Sequence, residues 1–277
     1  MKGKCALFDI ECEICWSIFQ LTGSKYIRAF ANPNKRLQDL EKMYLLSAQA
    51  ESRFSIYEKW FAENIFKKFQ IDGEKNLNYN DKLFYFIISV LWRILRREIH
   101  FHDYKNKPFF ENIKSVENEW KLFLSDYIFP RNFSKIGIFL TDRVQYHDFN
   151  ISGVDYYFSR SIDSTIVSNE DGSYCFVYAK FLKFILFGFI KGGDEKLLKP
   201  TLINPIKGGI SFPQDLRDEE FYKYFIYRIM EINNLPSPSQ NQQEAIDSQF
   251  KKEFNELKNK EVWEIILNDW TLLDPPK

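Results

Sequence analysis

Histidine and cysteine are scarce in this 277-residue chain, and both are central to metal and proton chemistry. There are three histidines, His100, His102 and His147, and four cysteines, Cys5, Cys12, Cys15 and Cys175. None of the histidines stands at an obvious ligand spacing from the cysteines. Net charge is missing too. Lys+Arg and Asp+Glu balance at 38 each, which excludes a global electrostatic footprint for nucleic acid and leaves only a local patch open. Long apolar runs are absent: the stretches at 83–95 and 181–190 are interrupted by Ser, Trp-Arg or Lys and are too short to span a bilayer, so no membrane segment is expected. No phosphate-binding glycine-rich loop appears. Lys191-Gly192-Gly193 and Lys207-Gly208-Gly209 read as turns, and no GxSxG nucleophile elbow is present. Asp9, Glu11 and Glu13 break any apolar core of a signal peptide, so a cytoplasmic chain without structural disulfides is expected.

Aromatic residues are abundant. They make up 18% of the chain, as 28 Phe, 15 Tyr and 6 Trp. Their helical and strand spacing assigns them to a core first, and only secondarily to a base-stacking platform.

Residues 32–69 organise the reading of the rest. A strand-like run, Tyr26 to Phe30, precedes a turn at Asn32-Pro33-Asn34. Phe54, Tyr57, Phe61, Ile65 and Phe69 then recur at helical spacing over 49–69. Asn80 caps a second helix over 81–99 that is apolar on nearly all sides, and a third covers 111–127. From Lys135 the period changes. Strands are expected at 136–140, 154–161, 164–168, 174–180 and 184–190, with a second hairpin from 201–203 to 209–212, giving an antiparallel sheet over 134–213. Helices return at 218–232 and 241–268, separated by the linker Leu235 to Gln240. The fold class is therefore α+β. Three divisions follow: an N-terminal segment at 1–70, a helix-plus-antiparallel-sheet domain at 71–234, and a linker with C-terminal helix at 235–277.

Three groups of side chains carry candidate chemistry. Cys5, Cys12 and Cys15 include one CxxC pair, but a tetrahedral structural zinc needs four ligands and no second pair exists. Their plain reading is as small buried hydrophobes. His100, His102 and Asp103 offer metal ligands or a general base, set against the simpler role of a polar helix end. Arg93, Arg96 and Arg97 share that helix end, as phosphate contacts or as a solvated, dipole-complementing terminus.

A resemblance gathers these residues. Lys4-Cys5-Ala6-Leu7, the Asn32 to Asp39 segment, Leu45-Leu46 followed by Glu51, Arg53-Phe54-Ser55 and Glu58 to Phe66, then Tyr85 to Arg93, together resemble bacterial HNH-endonuclease-like proteins; the likeness continues through Tyr156 to Ser164. In that group an N-terminal CxxC, an SHIIP segment and a second CxxC within LLCxxCE build a zinc-bound treble clef. The resemblance implies zinc-ligand positions at Cys5, Phe8, Ser47 and Ala50, of which only Cys5 retains a ligand; the general-base histidine and the proline are also absent. Losing a structural zinc removes about 10 kcal/mol of folding free energy. Apolar packing by Phe8, Trp16, Ile18 and Phe19 is expected to replace it, with Phe8 near Ala50 and no metal between them. The resemblance thus implies a degenerate, non-catalytic relative without cofactor. Such a chain would bind a protein partner or nucleic acid, in a bacterial defence or mobile-element setting. Two alternatives stand beside it. One is an active endonuclease, zinc- or magnesium-dependent, using His100, His102 and Asp103 with Glu51 or Glu58. The other is a structural interaction protein with no nucleic-acid role.

Overall fold

The structure is a computed structural model that describes residues 27–29, 32–37, 47–131, 133–144, 151–234 and 239–271. Cys5, Phe8, Cys12, Cys15, Leu45 and Leu46 lie outside the described residues, and with them the expected knuckle and its apolar replacement. The described residues combine helices with antiparallel sheets, an α+β fold. They fall into two compact units. One comprises 47–131, 133–141 and 162–218; the other comprises 27–29, 32–37, 142–144, 151–161, 219–234 and 239–271.

In the first unit, helix α1 spans Ala48–Phe61 and runs on as a π-helix over Ala62–Ile71. Ser47 starts it, its hydroxyl accepting from the Ala50 N–H at 3.3 Å. The wide turns show at the end, where the Asp72 N–H reaches the Lys67 carbonyl at 3.0 Å. Phe54, Phe61, Ile65 and Phe69 are buried, as the spacing predicts, and Phe66 joins them, whereas Tyr57 of the same stripe is only half-buried. Helix α2, Asp81–Phe101, begins at Asn80, whose side chain accepts from the Lys82 N–H at 3.1 Å. It is buried without a break from Leu83 to Leu95, as expected of a helix with no polar face. Helix α3, Phe110–Asp126, ends at Tyr127 in the left-handed conformation, φ 58°.

The sheet strands are β4 (Ile136–Leu140), β5 (Ile162–Ser168), β6 (Cys175–Phe181) and β7 (Phe184–Lys191), in the antiparallel order β4-β7-β6-β5. The expected turn joins β5 to β6: Asp171 accepts from the Ser173 N–H at 2.9 Å, and the Asn169 N–H donates to the Tyr174 carbonyl at 3.0 Å. Every residue of β6 is buried, and every residue of β7 except Lys191. Helix α2 packs on β5, β6 and β7. Phe184 gathers the rings of Phe61, Phe66, Phe69 and Phe181 at centroid distances of 5.5–5.7 Å. Trp120 of α3 lies over Gly188, where an added Cβ would come within 2.9 Å of the indole.

One expectation needs correction here, and one strand was not anticipated. The hairpin from 201–203 to 209–212 does not form. Leu202 makes a single bridge to Gly137, and β8 (Lys207–Ser211) pairs instead with β3 (Asn76–Asn80), antiparallel. The β3 sequence, NLNYN, is too polar to announce itself as a strand. Its alternate residues Leu77 and Tyr79 are buried, and the Tyr79 hydroxyl accepts from the Asn204 N–H at 3.0 Å. In between lie the short helix α5 (Glu195–Leu198) and a 3₁₀ turn over Lys199–Thr201.

The second unit contains a hairpin of β1 (Ile27–Ala29) and β2 (Asn32–Leu37), so Asn32-Pro33-Asn34 begin a strand where a turn was expected. It also contains the helices α4 (Val154–Arg160), α6 (Glu219–Asn233), α7 (Gln240–Leu257) and α8 (Glu261–Thr271). The single helix expected at 241–268 is thus broken between Leu257 and Glu261. Residues 154–161, expected as a strand, are helical. The reason is remote in sequence: the buried Asp269 carboxylate accepts from the Asp155 and Tyr156 N–H groups, both at 3.0 Å, and so caps α4 from α8. Asp155, fully buried, in turn accepts from Arg143 Nε at 2.9 Å, the Val144 N–H at 3.0 Å and Asn268 Nδ2 at 2.9 Å. Among the described residues no helix is long and apolar enough to cross a membrane.

Candidate functional site

The helical register of α2 separates the three arginines. Arg93 lies in the interior, away from the solvated helix end expected for it. Its Nη2 donates to Glu58 Oε1 at 2.8 Å and its Nε to the Ser89 carbonyl at 3.0 Å, and both ion-paired side chains are almost fully buried. The guanidinium also stands 5.3 Å over the Phe54 ring. Arg96 is at the surface, its Nε 3.6 Å from Glu117. Arg97 turns onto Glu98 and, at 3.3 Å, the Ser164 carbonyl.

Glu98 is the centre of a second cluster. It is buried on α2 and faces β5. Its Oε2 meets the Tyr104 and Thr165 hydroxyls at 3.3 Å each and His102 Nε2 at 3.5 Å. Burial and then the adjacent Glu98 charge push the Tyr104 phenol well above its ordinary range. Cys175, on β6, is fully buried, and that burial pushes its thiol up to about 12. His100, His102 and Asp103 do not converge: α2 ends at Phe101, His102 adopts an extended conformation, and only His102 touches Glu98. Of the alternative acids, Glu58 is held by Arg93, and Glu51 stands exposed in the first turn of α1. Among the described residues no group of three or more His, Cys, Asp or Glu side chains is arranged to hold a metal ion. Through Thr165, Glu98 ties the end of α2 to β5.

One cation is buried in the sheet. Lys180 Nζ donates to the Leu182 carbonyl at 2.7 Å, inside the tight turn between β6 and β7. Burial pulls its pKa down to about 7, with the Asp163 charge opposing. Asp163 itself accepts from the Tyr178 hydroxyl at 2.6 Å.

A cleft of about 320 Å³ lies between α1 and α3. Phe54, Trp92 and Leu124 supply its apolar walls; Ser47, Gln49, Arg53, Lys121 and Ser125 supply polar groups. Arg53 Nη1 is fixed by the Leu124 and Ser125 carbonyls at 2.9 and 3.1 Å. One helical turn on, the Tyr57 hydroxyl is 2.8 Å from that of Tyr127, and the Tyr57 ring stacks on Tyr85 at 3.8 Å. Burial, with the Tyr127 contact, raises the Tyr57 phenol above its ordinary range. After Tyr127 the chain exposes a run of apolar surface: Tyr127 is 53% exposed, Ile128 and Phe129 55% each and Phe133 43%.

Sequence reasoning missed this surface. The signal available was Tyr127-Ile128-Phe129-Pro130, three large apolar residues placed after a helix and before a proline, outside any buried period. The cleft had no local signal, because its walls come from three helices. Compared with family models, with curated proteins and with solved structures, the chain finds no match.

Proposed function

We propose that this chain is a non-catalytic binding subunit, a degenerate HNH-like protein that recruits a protein partner through the loop joining α3 to β4. The observation that carries this reading is the run Tyr127, Ile128, Phe129 and Phe133, four large apolar side chains held half-exposed within seven residues. Contiguous apolar surface of this kind marks protein–protein contact sites. The fate of the charged groups supports the same reading. Glu58 and Arg93 pair across α1 and α2, while Arg97 and Glu98 pair on α2 and reach Ser164 and Thr165 of β5, so these charges are already committed within the fold. The cysteine usage favours a cytoplasmic setting.

The test is paired. Tagged protein and an Ile128→Asp/Phe129→Ser double variant are used to capture partners from the source cell. A specific protein held by the first and lost by the second is expected. Identical capture by both would remove the loop from the argument. In parallel, plasmid DNA incubated with the purified chain and Mg²⁺ or Mn²⁺ stays intact; histidine-dependent cleavage would overturn the non-catalytic reading.

A second reading keeps nucleic acid as the partner, favoured by the exposed guanidinium of Arg96 at the end of α2. It requires that log affinity fall with log salt and that Arg96→Ala shallow that slope by about one.

A further inference from the structure

We propose that the cleft between α1 and α3 binds a carboxylate that carries a compact apolar body, such as an aromatic side chain. Two independent features of the cleft define that ligand. The first is shape and polarity. A volume of about 320 Å³ suits one or two side-chain-sized groups, and Phe54, Trp92 and Leu124 offer aromatic and aliphatic contact. The Trp92 Nε1–H is already satisfied by Glu117 at 3.0 Å, so the indole presents its apolar surface to an occupant. The second is charge. Arg53 is held by two carbonyl oxygens, which fix its position without neutralising it. Lys121 lines the same cleft, and among the described residues it makes no ion pair. Two cations without a carboxylate partner in the lining of one largely apolar cleft are complementary to a single anionic head on an apolar body. The Arg53 guanidinium is immobilised before any ligand arrives, which lowers the ordering cost of binding.

The two natural sources of this chemistry are a free small carboxylate and the C-terminal residue of a peptide. Both place one carboxylate beside one apolar group. The experiment separates them using the full chain and three probes: N-acetyl-phenylalanine, its amide, and a hexapeptide ending in phenylalanine with a free carboxylate. Saturation-transfer NMR follows each titration. The acid is expected to saturate with a Kd on the order of 1 mM, as suits a ligand of its size. The amide should bind about tenfold more weakly, because it lacks the charge. Lys121→Glu should weaken the acid by a similar factor and leave the amide unchanged. Ala50→Trp, which fills the cleft, should abolish both. A hexapeptide binding more tightly than the acid assigns the site to a chain terminus; equal or weaker binding assigns it to a free carboxylate.

Equal binding of acid and amide would overturn the proposal. So would binding that survives Ala50→Trp in a variant whose circular dichroism is unchanged. The outcome is separate from that for the partner loop: the Ile128→Asp/Phe129→Ser variant should bind the acid with unaltered affinity, whether or not it loses a protein partner.

Discussion

At the scale of single residues, the interior holds polar groups whose contributions have a definite sign. Lys180 is fully buried on β6, and its folded pKa of about 7 lies well below the ordinary lysine value of about 10.4. The unfolded chain therefore binds more protons than the folded chain between those two values. Stability should rise with pH across that window and be flat below it, where both states carry the charge. Urea unfolding midpoints measured from pH 6 to pH 10 test this: the native chain should gain up to about 1 kcal/mol per pH unit above pH 7, and Lys180→Met should lose the slope. Gly188 poses a steric question. A Cβ there would meet Trp120 at 2.9 Å and Ile136 at 3.0 Å, so Gly188→Ala forces the indole or the strand to move. It should cost about 1–3 kcal/mol in thermal or urea unfolding, the usual penalty for overpacking.

At the scale of elements, the helices are joined by buried charge as well as apolar contact. Glu58 on α1 and Arg93 on α2 form a pair that is 4–5% exposed. Removing one partner leaves the other charged and desolvated, so Glu58→Leu alone should destabilise by about 3–5 kcal/mol. Glu58→Leu with Arg93→Met should recover most of that loss. A double-mutant cycle in urea would expose the coupling, and additivity of the two single effects would refute it.

Legibility followed the same division. The helices whose period and caps are local were readable: Asn80 before α2, and the Phe54 to Phe69 stripe of α1. So were β5, β6 and their turn, because Asn169 to Ser173 carry their own hydrogen bonds. Elements set by distant partners were not. Tyr156-Tyr157-Phe158 has strand-like side chains, yet Asp269 of α8 caps it as a helix. Arg93 was grouped with Arg96 and Arg97 by its position near the helix end, whereas the partner that buries it, Glu58, stands on another helix. The cleft needed α1, α2 and α3 in place before its residues could be associated.

At the scale of the whole molecule, each of the two units has its own interior: rings gather around Phe184 in the first, and the second combines buried Phe158, Phe221 and Phe225 with a polar cluster around Asp155. The polar cluster makes a specific prediction. Asp269→Ala removes the acceptor for two N–H groups at the start of α4, a loss of about 1–2 kcal/mol on the scale of helix caps. Amide hydrogen exchange should quicken at Asp155 and Tyr156 and along α8, with the amides of β6 and β7 as the internal reference. Unchanged protection at Tyr156 would rule out the capping role.

The pairing of β3 with β8 sets an order of events during synthesis. Residues 76–80 emerge from the ribosome early, and their ladder partner at 207–211 comes only after the whole four-stranded sheet has been made. At ordinary elongation rates the wait is on the order of ten seconds. Throughout it the β3 segment is without its ladder partner, and an unpaired strand edge invites pairing with other chains. Its asparagines, which hid the strand from sequence reading, therefore have a second consequence. An alternation of Asn with Leu77 and Tyr79 has low β-propensity and few apolar side chains, which disfavours pairing of this segment with other chains while β8 is awaited.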